Sequence, residues 1–66
     1  MVSDGITVRG LNGGSLRLYA MSGAEVLRRD GVADGQFIDV SALPQGIYVA
    51  VANVGGRAYA KRLVKQ

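Results

Sequence analysis

Ile47-Tyr48-Val49-Ala50-Val51-Ala52 is the stretch whose pattern decides the fold. In an extended chain, β-branched Ile47, Val49 and Val51 fall on one side, and Tyr48, Ala50 and Ala52 on the other. That period of two suits a pleated strand. Before it stands Ser41-Ala42-Leu43-Pro44-Gln45-Gly46. Pro44 has the fixed φ favoured at the second position of a type I turn, and Gly46 falls two residues later, where that turn favours glycine. The chain is therefore expected to reverse at Pro44-Gln45, and this turn to set the register between the strand from Gly46 to Ala52 and that from Arg57 to Val64. After the strand, Asn53-Val54-Gly55-Gly56 closes a hairpin onto the segment from Arg57 to Val64.

Toward the N-terminus the same period returns. Gln36 to Val40 alternates, with Ile38 and Val40 on one face, and Gly31 to Gly35 forms the break before it. Further back, Leu16, Leu18 and Ala20 share one face while Arg17, Tyr19 and Met21 share the other, so this strand is half buried. Ser22-Gly23 interrupts it and Glu25 to Arg29 returns, which predicts a hairpin over residues 15–29. Ile6-Thr7-Val8-Arg9 is a first strand, ended by Asn12-Gly13-Gly14. No window carries capped helical spacing, although Ala24 to Arg29 would tolerate a helical turn taken alone. Six short strands about ten residues apart, punctuated by clustered glycines, predict an all-β sandwich or open Greek-key sheet. The 66 residues suffice for one domain, residues 1–66. A chain of that size buries roughly 60% of its unfolded surface, so its stability is marginal.

The chain has no cysteine and no histidine. Disulfides, thiolate metal sites, Ser-His-Asp and Cys-His constellations and nearly all zinc sites are thereby excluded. Asp4, Glu25, Asp30, Asp34 and Asp39 are scattered singly, without the spacing that pairs catalytic carboxylates or builds a calcium loop. No enzyme, cofactor or metal is expected. No run is long and apolar enough to span a membrane, and the start lacks a signal-peptide pattern. If the protein is exported, its export address lies elsewhere, in a longer protein of which this chain is one piece.

Charge is uneven. Residues 1–56 hold four basic and five acidic side chains, whereas residues 57–66 hold Arg57, Lys61, Arg62 and Lys65 and no acid. Such a strip docks an acidic receptor or a phosphate-bearing surface, or it keeps an edge strand soluble. Nucleic-acid binding is not expected, because the one Phe and three Tyr are not grouped around the basic positions. Gly10, Gly13 and Gly14 are turn glycines, since no helix follows to present its N-terminus to a phosphate. Tyr19, Tyr48 and Tyr59 are the candidates for an aromatic contact face, against ordinary packing within a sandwich.

Three pieces in order carry a resemblance: Leu16-Arg17-Leu18-Tyr19-Ala20-Met21-Ser22-Gly23 with Val26, then Ile38 through Tyr48, then Lys61-Arg62-Leu63-Val64-Lys65. Together they resemble the C-terminal sorting domain of proteins exported by the type IX secretion system of Bacteroidota, over about residues 6–66. The Leu-Pro-x-Gly-x-Tyr turn after an Asp-x-Ser strand is the most diagnostic piece. The resemblance implies an immunoglobulin-like antiparallel β-sandwich of about six strands at the end of a larger cargo protein. It implies recognition by an outer-membrane secretion translocon after passage through the periplasm. Removal by a sortase-like protease and attachment of the cargo to a surface lipopolysaccharide commonly follow.

The motif residues carried over are Tyr19, Gly23, Asp39, Leu43, Pro44, Gly46, Tyr48, Lys61, Leu63, Val64 and Lys65. Ala20 and Ala24 depart from the family pattern, and the family's opening Asn-Pro segment is absent, which suggests a trimmed first strand. An edge left bare in this way invites a strand-mediated homodimer. The rival reading is a structural or adhesive immunoglobulin-like module that binds a glycan or packs on its own cargo domain, with the three tyrosines as its contact residues.

Overall fold

A computed structural model describes residues 4–66. Its strands are β1 (Gly5–Thr7), β2 (Gly14–Ala20), β3 (Glu25–Val32), β4 (Phe37–Asp39), β5 (Gly46–Val54) and β6 (Arg57–Lys65). They form two antiparallel sheets, β3-β2-β5-β6 and β1-β4, giving the expected small all-β sandwich.

Apolar residues at alternate positions put one face of each strand in a common core. Val8, Leu11, Leu16, Leu18, Val32, Ile38 and Val40 are buried together, with Leu18, Val32 and Ile38 the most fully enclosed. Burying one such side chain contributes about 1.5–3 kcal/mol. The expected partition of β2 holds, as Leu16 and Leu18 are buried while Arg17 and Tyr19 are half-buried on the opposite face. On β5 the small-residue face turns inward: Tyr48 is buried, and Ala50, Ala52 and Val54 pack on the core. β-Branched Ile47, Val49 and Val51 lie on the outer face, Ile47 exposed and the two valines half-buried, where strand propensity favours them.

Three expectations need correction. Gly31 does not end β3: the strand continues to Val32, and the pairing shifts between Gly14↔Val32 and Leu16↔Arg29. The extra residue is absorbed as a β-bulge, and Gly31 at φ 63° takes the left-handed conformation that such bulges use. The hydrogen-bonded turn lies at Ser41-Ala42 rather than Pro44-Gln45, since Leu43 N–H donates to Val40 C=O at 3.0 Å. The reason is topological. β4 pairs with β1 and β5 pairs with β2 and β6, so residues 40–45 cross between sheets and no hairpin is required there. Consequently the Pro44 region does not set the β5-β6 register. That register comes from the two-residue loop Gly55-Gly56, which brings Val54 opposite Arg57. Both glycines have positive φ, 57° and 77°, as a type I′ hairpin turn demands.

Candidate recognition surface

The motif residues lie in three separated stretches, and the strand register brings most of them to one end of the sandwich. Ala20, the last residue of β2, stands opposite Tyr48, while Gly46 stands opposite Lys65 and Tyr48 opposite Leu63. The turn after β2, the start of β5 and the end of β6 therefore share one end of the four-stranded sheet. Gly23 belongs to that turn, donating its N–H to Ala20 C=O at 2.9 Å.

The crossing from β4 to β5 arrives at the same end. Asp39 Oδ1 accepts the Ser41 N–H at 2.9 Å, and Leu43 packs on the core. Tyr48 donates its hydroxyl to Pro44 C=O at 2.6 Å, a tyrosine tied to the backbone four residues upstream. Bonds of this kind brace the corners of immunoglobulin-like sandwiches. Pro44 thus serves as the acceptor that pins the crossing to the sheet. Removing the hydroxyl in Tyr48→Phe is expected to lower stability by about 1 kcal/mol, the usual worth of one such bond, as read by chemical denaturation.

Among known families, the secretion system C-terminal sorting domain matches residues 2–66, essentially the whole chain. The chain belongs to that family. No match was found among curated proteins. Sorting domains of this kind mark cargo of the type IX system for export to the cell surface or medium, a non-enzymatic role that entails contact with the secretion machinery.

Within the sorting domain, β6 carries the charge asymmetry. From Val40 to Gln66 the sequence contains no carboxylate side chain. Arg57, Lys61 and Arg62 are exposed on this edge strand. Directly opposed residues of an antiparallel pair share a face. Lys61, opposite Ala50, therefore lies on the core side of the sheet, and Arg62, opposite Val49, on the outer side.

Lys65 departs from the exposed strip. It is only 8% exposed, faces Gly46, and its Nζ donates to Gln66 C=O at 2.8 Å. With so little of it exposed, Lys65 is a packing residue as well as a cation. Val64 is 40% exposed on the outer face opposite Ile47, itself 40% exposed, and Leu63 packs inward.

Tyr19 lies on the outer face, opposite Val49 and Glu25. The nearby acid, Glu25, is already engaged between Arg17 Nε at 3.7 Å and Arg28 Nε at 3.8 Å. Tyr48 and Tyr59 belong to the inner face, where they oppose Leu63 and Ala52. The three tyrosines thus form no common contact face, and the adhesive reading loses its site.

The Ser41 backbone N–H, and secondarily its side chain, hold the Asp39 carboxyl below the usual carboxylate range. A depressed folded pKa adds stability that is full above the unfolded value of about 3.9 and lost as pH falls through the folded pKa. Urea midpoints should therefore drop below about pH 4 and do so less steeply in Asp39→Ala, the difference between the two curves reporting this one carboxylate.

Sequence reasoning missed that Ile47, Val49 and Val51 form the outer row of β5, and that Lys65 is buried. The alternation of β5 signalled the first. The second had no signal, because it depends on what the end of β6 packs beside in the folded sheet.

Proposed function

We propose that the sorting domain is the end of a larger cargo protein and that the outer-membrane translocon reads its folded surface, chiefly along β6 and the adjoining β5. The observation that carries this reading is an exposed edge strand with Arg57, Lys61 and Arg62 and no acid anywhere on β5 or β6. A uniformly basic surface steers an acidic partner and fixes its orientation.

In this reading Tyr19, Gly23, Asp39, Leu43, Pro44, Gly46 and Tyr48 shape and brace the recognised end. Lys61 makes the polar contact, and Leu63, Val64 and Lys65 hold the strand in place. A sortase-like protease then acts on the polypeptide that precedes the domain.

A strand-mediated homodimer through β6, as distinct from an edge bared by a trimmed first strand, is disfavoured electrostatically. Antiparallel pairing of β6 with its copy centred on Lys61 would set Lys61 against Lys61 and Arg57 against Lys65, and like charges directly opposite destabilise a sheet. Light scattering across the micromolar range should report a monomer. A dimer there would mean that some other edge pairs.

The direct test fuses residues 1–66 behind a fluorescent reporter with a periplasmic export signal, in a type IX-competent host and a translocon-deficient one. Reporter on the surface or in the medium of the first host alone is the expected result. A folded fusion retained in the periplasm of both hosts would refute the proposal that these residues suffice as the address.

A further inference from the structure

The two sheets are unequal, and β6 is left without a covering strand. Tyr59 and Lys61 lie on the core side of the sheet, yet Tyr59 is 54% exposed and Lys61 is exposed as well. Between this face and β1 runs a groove of about 850 Å³. Ile6 and Val8 line one side, while Ala50, Ala52, Val54 and Leu63 contribute apolar lining from β5 and β6.

β1 offers a backbone edge to the same groove. Val8 exchanges its N–H and C=O with Gln36 and Gly35, and Asp4 C=O accepts from Val40 N–H. The residues bonded toward the β4 side are therefore Asp4 and Val8, with Ile6 in phase. In an antiparallel pair the alternate residues, Gly5 and Thr7, direct their N–H and C=O groups the other way. Among the described residues β1 has β4 as its one neighbour, so these groups have no strand partner. An apolar slot beside an unpaired strand edge is the geometry of β-augmentation, in which an incoming peptide adds a strand and places alternate side chains in the slot.

Charge decides which peptide. Arg9 and Lys61 line the groove and no carboxylate does. The geometry points to an extended acidic peptide segment of a partner protein as the occupant, added to β1 as a third strand of the small sheet. Its inward apolar side chains rest on Ala50, Ala52 and Leu63, and its carboxylates meet Lys61 and Arg9. A second copy of the chain fits less well, because its own β6 brings more cations to a basic site. In taking the partner to be part of the secretion machinery, this inference rests on the proposed function. Peptide binding in vitro and export in cells are separate readouts, so either can fail alone.

The test is an NMR titration of the 66-residue chain with a synthetic octapeptide alternating Val and Glu, against the same peptide with Lys in place of Glu. The Gly5 and Thr7 amides should shift and gain exchange protection with the acidic peptide alone. Lys61→Glu, at an exposed position, should weaken that binding by about tenfold, the loss expected when one charge-assisted contact becomes repulsive. Ala52→Leu should block the groove; if it fails to fold, Lys61→Glu still decides. Equal binding of both peptides, or shifts confined to β3, would overturn the inference. So would protection of Gly5 and Thr7 that rises with protein concentration without peptide, since a second copy would then be the occupant.

Discussion

Leu18→Ala is expected to leave much of the protein unfolded at physiological temperature. Leu18 is 1% exposed at the centre of the four-stranded sheet, between Leu27 on β3 and Ala50 on β5. Truncating a leucine so enclosed costs about 2–5 kcal/mol, the lost transfer energy plus the cavity left behind. A chain of this length has a total stability on the order of 3–10 kcal/mol. With a denaturant slope of about 1 kcal/mol per molar urea, the midpoint should fall by about 2 M or more. Val26→Ala is the control, because Val26 is 37% exposed on edge strand β3 and its loss should change stability by less than about 0.5 kcal/mol. The same pair separates two ways of reading an address. If the translocon reads the folded surface, export of a Leu18→Ala fusion falls with the folded fraction. Normal export of an unfolded variant would mean that a linear segment is read instead.

The second large effect is functional. Lys61→Glu combined with Arg62→Glu should preserve folding and reduce export by about tenfold or more, since the exchange turns attraction for an acidic partner into repulsion at two exposed positions. These residues lie on opposite faces of β6, so the pair alters whichever face the partner meets. Lys65 is left alone because its buried stem would confound folding with docking. Circular dichroism and urea midpoints like those of the parent establish that the fold is intact, and secreted reporter in the medium gives the functional result. Export unchanged in the folded double variant would contradict a docking role for this strand. Raising salt should weaken binding to isolated machinery in the parent more than in the variant, because exposed charge pairs are screened over about 8–10 Å at such ionic strengths.

The sequence by itself determined the strand content, the faces of β2 and the family. Those properties are local: a period of two along the chain, glycines at breaks and a motif read residue by residue. It also excluded the commonest catalytic and metal chemistries, since no histidine or cysteine is available to support them.

Tertiary structure decided the rest. Pro44 looked like the start of a type I turn because its local chemistry is that of one, but β4 and β5 belong to different sheets, and the crossing uses Pro44 as an acceptor for Tyr48. Gly31 looked like a strand end because a bulge and a break place the same demand on φ, and the partner strand alone distinguishes them. Lys65 is buried where the end of β6 lies beside the start of β5, and the groove beside β1 arises because two strands cannot cover four. Each of these depends on which strand lies beside which, and pairing between residues distant in sequence is what a local pattern does not encode.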